Sequence, residues 1–412
     1  MTEYIILALC ILILLSYLFD ITSIYSRIPG VLLLIGLGIL MQIVIENTGI
    51  EIPDMKPLLP VLGTLGLILI VMEASLDLRV EKAKTGMIIK SVTAAIVLFA
   101  IFIAIMTFIM VRFLNYSIID SLLNSIPFGI ISSAVAISSS VNLNKEQREF
   151  IIYESSISDI IGILVFDFIL IYGSSVGFGL LNFAFKGVLT VLIAVVVTTG
   201  LAFLLHKATY HINYIIILTV LVMVYVLGEL IHLPALLLVM AFGIALENHS
   251  LVEKTRFNRF IDFEKFRTDL NSFKKIITEL TFVVRSFFFI MFGYYSRIEG
   301  LFNIANLLTA LAIVAGIYLL RVVFLIRFLK IPVIPYLFFS PRGLVTILLF
   351  LGIPATSRIS LIGEEVVTLV ILLTLLFMMA GNFFQRKKIP FEPEVMIGSD
   401  GEVVTREPED EK

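Results

Sequence analysis

The sequence is poor in charge, cysteine and histidine, and it contains no tryptophan. Asp, Glu, Lys and Arg supply 15% of its 412 residues, against about 25% in an ordinary soluble domain. So little charge cannot solvate the two or three soluble domains that the length alone allows. The single cysteine, Cys10, excludes a disulfide framework or a cysteine-ligated metal site. A net charge of −2 lacks the electrostatic footprint of a nucleic-acid partner. Nothing in the chain calls for an organic cofactor. Without Trp, an interfacial aromatic belt falls to the 13 Tyr and 34 Phe. Apolar residues are abundant: 59% of the chain, with a mean hydropathy of +1.07. They come in blocks of about 20, the length that crosses a bilayer core. The sequence therefore reads as an all-α polytopic membrane protein.

Met1-Thr2-Glu3 lacks the basic n-region of a signal peptide, so the first apolar run is expected to be a retained helix. Apolar segments follow at 4–18, 30–45, 57–77, 86–112, 121–142, 149–173, 180–206, 213–231, 233–247, 277–296, 304–329, 334–353 and 365–385, which makes thirteen. Loops after the odd-numbered segments, with the near C-terminus, carry Arg27, Arg79, Lys82, Lys84, Lys145, Arg148, Lys207, the basic residues from Lys254 to Lys275, Arg327, Lys330 and Arg386 to Lys388. The opposite loops hold Lys56, Arg112, Arg297 and Arg358. By the positive-inside rule the N-terminus lies outside and the C-terminus in the cytoplasm of a plasma (inner) membrane. Residues 1–388 form the transmembrane domain. Within it, 251–275 spaces Phe257, Phe260, Phe263, Phe266, Leu270 and Phe273 as an amphipathic cytoplasmic helix linking two halves of the bundle. Residues 389–412, with eight acidic residues, two basic residues and three prolines, read as a disordered cytoplasmic tail.

An ionisable residue deep in a span costs about 2.5–3.5 kcal/mol on insertion scales, so each one is a candidate for function. Several have plain alternatives. Lys186 and Glu279 lie near helix ends, Glu73 and Asp77 precede a basic loop, and Glu229 precedes His232 and Pro234. The sixth segment stands apart. In Tyr153-Glu-Ser-Ser-Ile-Ser-Asp159, two carboxylates and three hydroxyls fall within six residues. Ser155 and Asp159 share one helical face, and Glu154 and Ser158 share the next. A mid-span carboxylate flanked by hydroxyls suits a dehydrated alkali cation or a proton. Asp167, two turns on, lines a funnel or is satisfied by packing. The fifth segment, Gly129 to Ser140, and the twelfth, Phe339-Ser-Pro-Arg-Gly343, are small, polar and prone to break. They occupy equivalent places in two inverted repeats of six, which is the sequence pointer to a transporter site. Close packing of serine-rich helices is the other reading of the fifth.

These residues resemble a family, the monovalent cation/proton antiporters of the sodium/proton exchanger superfamily. Glu154-Ser-Ser-Ile-Ser-Asp159 is similar to its Glu-Ser-x-x-Asn-Asp motif, and Pro341-Arg342-Gly343 to its Gly-x-Arg-Gly segment. Leu319-Leu-Arg321-Val resembles the arginine-bearing helix before that segment, and Met72-Glu-Ala-Ser-Leu-Asp77 the Phe-Glu-Ala-Gly-Leu-Glu run. The resemblance implies about thirteen helices in two inverted repeats, two crossed broken helices beside the aspartate, and a homodimer in the lipid bilayer. It implies that Na⁺ or K⁺ exchanges for H⁺ at Asp159, the alkali-cation ligand, with Ser155, Ser158, Ser132 and Ser133 around it. It pairs Glu154 with Arg321, with Arg342 as a second candidate, and leaves Arg342 or Arg285 to offset the broken-helix dipoles. Ser132-Ser133-Ala134 departs from the exchangers' Thr-Asp-Pro towards the Ser-Ser-Thr-Ala of the Kef potassium-efflux branch, and Ser158 replaces the usual Asn or Asp. Both departures bear on the choice of cation. A cation channel or an organic-anion carrier on a related fold is the alternative. An aspartyl protease is excluded, because Asp159 and Asp167 on one helix cannot meet. A serine protease lacks its base, since His206, His211, His232 and His249 all fall at segment ends.

Overall fold

The computed structural model describes residues 2–26, 28–48, 58–76, 85–140, 143–172, 185–190, 192–194, 196–197, 213–230, 235–247, 263–296, 298–384, 395–397 and 403–405. Helices dominate them. The elements are α1 (Thr2–Ser26), α2 (Gly30–Thr48), α3 (Leu58–Leu76), α4 (Thr85–Leu114), α5 (Ile118–Gly129), α6 (Ser133–Ser139) and α7 (Lys145–Tyr172). They continue as α8 (Asn213–Leu230), α9 (Ala235–Glu247), α10 (Phe263–Tyr295), α11 (Ile298–Leu301), α12 (Ile304–Phe324), α13 (Leu344–Gly352) and α14 (Glu364–Phe384). Two three-residue strands, β1 (Val395–Ile397) and β2 (Val403–Thr405), pair antiparallel. Among the described residues, six helical stretches are long and apolar enough to cross a membrane: Gly30–Thr48, Gly86–Leu114, Ile118–Ser139, Leu270–Tyr295, Ile304–Leu329 and Glu364–Phe383.

Local chemistry sets the ends. Ser117 caps α5, its hydroxyl accepting from the Asp120 N–H at 3.1 Å, and Asn303 caps α12 through the Ala305 N–H at 2.9 Å. Asn144 accepts from the Gln147 N–H at 2.8 Å and opens α7. Each side chain satisfies one of the free N–H groups of a helix N-terminus. Pro127 stands in the last turn of α5, just before the chain leaves the helix.

The helices fall into two groups. α2 packs along α10, and α3 lies against both α10 and α9. Gly38 and Gly293 make this first pairing close. A side chain on Gly38 would strike the backbone at Ile290, and one on Gly293 the backbone at Ile35. Small residues at a helix crossing let backbones approach where lipid supplies no hydrophobic drive. In the second group α4 packs on α5 and α7, α6 on α7, and α12 on α14. α7 and α13 touch α3, so the groups meet along α7, α13, α3 and α9.

Where they are described, the expected segments fall largely on helices, with these differences. The first span extends to Ser26, well past residue 18. The fifth is two short helices, α5 and α6, with non-helical residues between them. The twelfth is helical only from Leu344; residues 334–338 form turns and 339–343 run without helical bonding. Of the expected seventh segment, 185–190, 192–194 and 196–197 are described, and they are helical. The part of the expected surface helix that is described, 263–275, runs without a break into the span that ends at Tyr295. Its remainder, Asp77, the basic residues 79–84 and most of the acidic tail lie outside the described residues.

Candidate ion-binding site

The two interrupted segments meet backbone to backbone. The Ser132 N–H donates to the Pro341 carbonyl at 2.9 Å. Gly343 sits against Ser132 and Val135, leaving no room there for a side chain. Breaking a helix inside a membrane frees N–H and C=O groups that must find partners in the protein. α7 supplies two of those partners. The Ile131 N–H donates to the Ser158 hydroxyl at 3.0 Å. The Ser133 N–H, first in α6, donates to Oδ2 of Asp159 at 3.1 Å. A carboxylate at a helix N-terminus also meets the positive end of the peptide dipoles.

Asp159 is 3% exposed. Its second oxygen, Oδ1, has no hydrogen-bond partner among the described residues. A buried oxygen left open costs stability unless something fills its place. Ser155, one turn earlier on the same face, donates to the Ile151 carbonyl at 2.7 Å and so keeps its lone pairs outward. Thr346 of α13 and Ser340 in the second break are buried, and their hydroxyls have no hydrogen-bond partner among the described residues.

One turn from Asp159, Glu154 and Arg321 form a two-pronged ion pair, with both N–H···O distances 2.7 Å. The pair is buried, the side chains 2% and 1% exposed. The third donor of Arg321, Nε, binds the Tyr336 carbonyl at 2.8 Å. Of the two arginines weighed as the partner of Glu154, Arg321 makes the contact. Arg342 is spent elsewhere: Nε on the Phe128 carbonyl and Nη1 on the Ser340 carbonyl, each at 2.7 Å. The Phe128 carbonyl belongs to the last turn of α5, so a fixed cation meets the negative end of that half-helix. The Arg342 N–H donates to Thr374 of α14 at 3.0 Å. Arg285 lies on α10 and lines a small pocket with Ala134, Val135 and Ser138 of α6.

A cavity of about 530 Å³ opens between the two groups, lined by Thr64, Tyr295, Arg358, Glu364, Glu365 and Thr368 among others. Asp159 does not line it. Arg358 closes the end of α13, donating to the Ile353 carbonyl at 3.0 Å and the Leu351 carbonyl at 2.8 Å.

The structure thus brings Asp159, Ser158, Ser132, Ser133 and Arg342 to one crossing, with Ser155, Glu154 and Arg321 a turn away. Asp167 is half-buried two turns further on. Sequence reasoning missed Thr374 and the carbonyls of Phe128 and Tyr336. A lone Thr in an apolar helix and a backbone carbonyl carry no composition signal.

A family model, the transmembrane sodium/hydrogen exchanger, matches residues 8–385. The chain belongs to that family. Solved structures agree on the fold of this exchanger-family protein. The sodium proton antiporter MjNhaP1 from Methanocaldococcus jannaschii at pH 8 superposes with a TM-score of 0.65 at 19% identity, over 93% of this chain and 96% of that one. An electron-microscopy map of the same antiporter matches with the same score and identity, over 95% of that chain. No curated protein matches the chain in sequence. The fold class is therefore that of the sodium/proton antiporters, and the family is one of transporters rather than enzymes.

Proposed function

We propose that this member of a cation/proton antiport family exchanges one monovalent cation, Na⁺ or K⁺, for one proton, and that both compete for Asp159. The observation that carries the reading is the state of that carboxyl group. It is buried at the crossing, with Oδ2 held by the Ser133 N–H and Oδ1 open. Burial favours the neutral form of a carboxyl group and a bound cation favours the ionised form, so the two ligands exclude each other. That exclusion couples the fluxes. The free lone pairs of Ser155 and Ser158 and the carbonyls of the broken segments supply neutral oxygens for a dehydrated ion, the ligand type hard cations prefer. Glu154 is held by Arg321 and serves as a fixed strut. The bundle works as a homodimer in the inner membrane, its C-terminus in the cytoplasm.

The test is dissipation of an imposed ΔpH in proteoliposomes, with Li⁺, Na⁺, K⁺ and Rb⁺ supplied in turn. One or more of these cations moves protons through the wild type. Asp159→Asn abolishes the movement, because an amide neither ionises nor carries the competing proton. Full exchange in that variant at wild-type density refutes the single-site reading. Cation flux without proton flux would make the protein a channel.

A further inference from the structure

Beside α6 lies a small chamber that the exchange site does not use. It holds about 20 Å³, room for one water-sized guest. α1 contributes Ser16 and Asp20, α10 contributes Arg285 and Ser286, and α6 contributes Ala134 and Ser138. Gly30, at the start of α2, lies against the Asp20 carboxylate. Asp20 and Arg285 share the chamber, yet no ion pair joins them among the described residues. Ser286 is 3% exposed, and its hydroxyl has no hydrogen-bond partner among the described residues. Ser16 and Ser138 donate to the Leu12 and Ala134 carbonyls, at 2.7 and 2.9 Å, and keep their lone pairs outward. Opposite charges held apart around a pocket with an unsatisfied buried hydroxyl describe a place where a guest sits.

Its position gives it a use. Ser133, the first residue of α6, binds Asp159. Ala134 follows Ser133 directly, and Ser138 lies a turn beyond it, about 7–8 Å along the axis from Ser133. Ser138 is exposed at the rim. The chamber therefore stands between the exchange carboxylate and the far end of α6. We infer that it is a transit subsite for the monovalent cation: Asp20 is the charged ligand, Ser16, Ser138 and Ser286 are neutral oxygens, and Arg285 is the fixed cation that keeps the ion from lodging. This rests on the antiport reading of Asp159. A fixed charge beside a narrow path changes the local ion concentration by roughly tenfold or more, and Asp20 and Arg285 act on it with opposite sign.

Two measurements test it. In proteoliposomes, Asp20→Asn raises the cation KM about tenfold and leaves kcat within about twofold of wild type. Asp20→Glu, which keeps the charge, restores the KM. Arg285→Gln lowers both KM and kcat, because the ion now leaves slowly. A structural role alone would move both variants in the same direction. The second measurement needs no transport. Ser138→Cys, in a Cys10→Ser background, is labelled by a cationic methanethiosulfonate reagent at least about tenfold faster than by its anionic counterpart. Asp20→Asn lowers that ratio and Arg285→Gln raises it. Equal labelling rates, an unmoved KM in Asp20→Asn, or KM shifts of the same sign in both variants overturn the subsite. Wild-type protein that moves no protons refutes the antiport reading instead, and the labelling ratio still decides the chamber.

Discussion

At the scale of single residues, Glu154 and Arg321 are a buried pair of charges that answer each other. Glu154 and Arg321 satisfy each other at two contacts, and Tyr336 takes up the remaining arginine donor. Removing one member of a buried pair strands the other, at a cost of about 3–5 kcal/mol. Glu154→Gln is therefore expected to lower the unfolding temperature in detergent sharply while cation KM stays within a few-fold of wild type. The double exchange Glu154→Arg with Arg321→Glu should recover part of that loss. Two singles as stable as the double would show that the pair contributes nothing. This contact was legible in the sequence to a point. Charge in an apolar span marked Glu154 and Arg321, and family resemblance joined them while leaving Arg342 open. What the sequence did not carry was the competing demand on Arg342. That guanidinium is drawn off by the Phe128 and Ser340 carbonyls, and backbone groups are the same at every position. Asp20 was hidden for another reason. Ending the first span at residue 18 put it in a loop, whereas α1 continues for two more turns and carries it into a chamber.

At the scale of elements, the two breaks are one device. α5 ends with a carbonyl capped by Arg342, α6 begins with an N–H capped by Asp159, and the second break hydrogen-bonds to the first. Each half-helix thus meets a charge of the sign its dipole favours. α14 braces the assembly through Thr374, which donates to the Ile371 carbonyl and accepts from the Arg342 N–H, both at 3.0 Å. Thr374→Val removes the acceptor and leaves a buried N–H unmet, at about 1–3 kcal/mol. The expected result is a lowered unfolding temperature and a reduced exchange rate, with Thr374→Ser close to wild type. An unaltered rate in the valine variant would show that the brace is dispensable. The breaks were legible because Ser132-Ser133 and Ser340-Pro341-Arg342-Gly343 interrupt apolar runs with residues that leave a helix readily. Their extent was not. Residues 334–338 look as apolar as any span, yet they form turns, closed by the Leu337 N–H on the Val333 carbonyl and the Phe338 N–H on the Pro335 carbonyl; Pro332 and Pro335 lack the N–H that a helix interior needs.

At the scale of the whole molecule, the question is how much charge crosses the membrane per turnover. The paired groups fix the answer in this reading. Glu154 and Arg321 cancel, and Arg342 stays on the negative end of α5. Asp159 is then the one carboxylate at the crossing not matched by an ion pair among the described residues. Neutralised by a proton or by a monovalent cation, it gives the crossing the same total charge in both halves of the cycle. Whatever charge moves outward with the cation therefore returns with the proton, and no net charge is transferred. Sequence anticipates this at one position, since Ser158 stands where some relatives carry a second acidic residue. In the structure its hydroxyl accepts from the Ile131 N–H, which leaves it a neutral oxygen. An uncompensated charge would be easy to see, at about 2.3 kcal/mol for each 100 mV. A potential set with K⁺ and valinomycin confuses the reading if K⁺ is a substrate. Capacitive current on a solid-supported membrane after a cation jump avoids that, with Asp159→Asn as the blank. The expected record is a brief binding transient and no sustained current at any cation concentration that drives proton movement. A steady current that scales with turnover overturns one-for-one exchange. It would require a second group titrating in each cycle, and Asp167, half-buried on the same helix, is then the residue to replace with Asn.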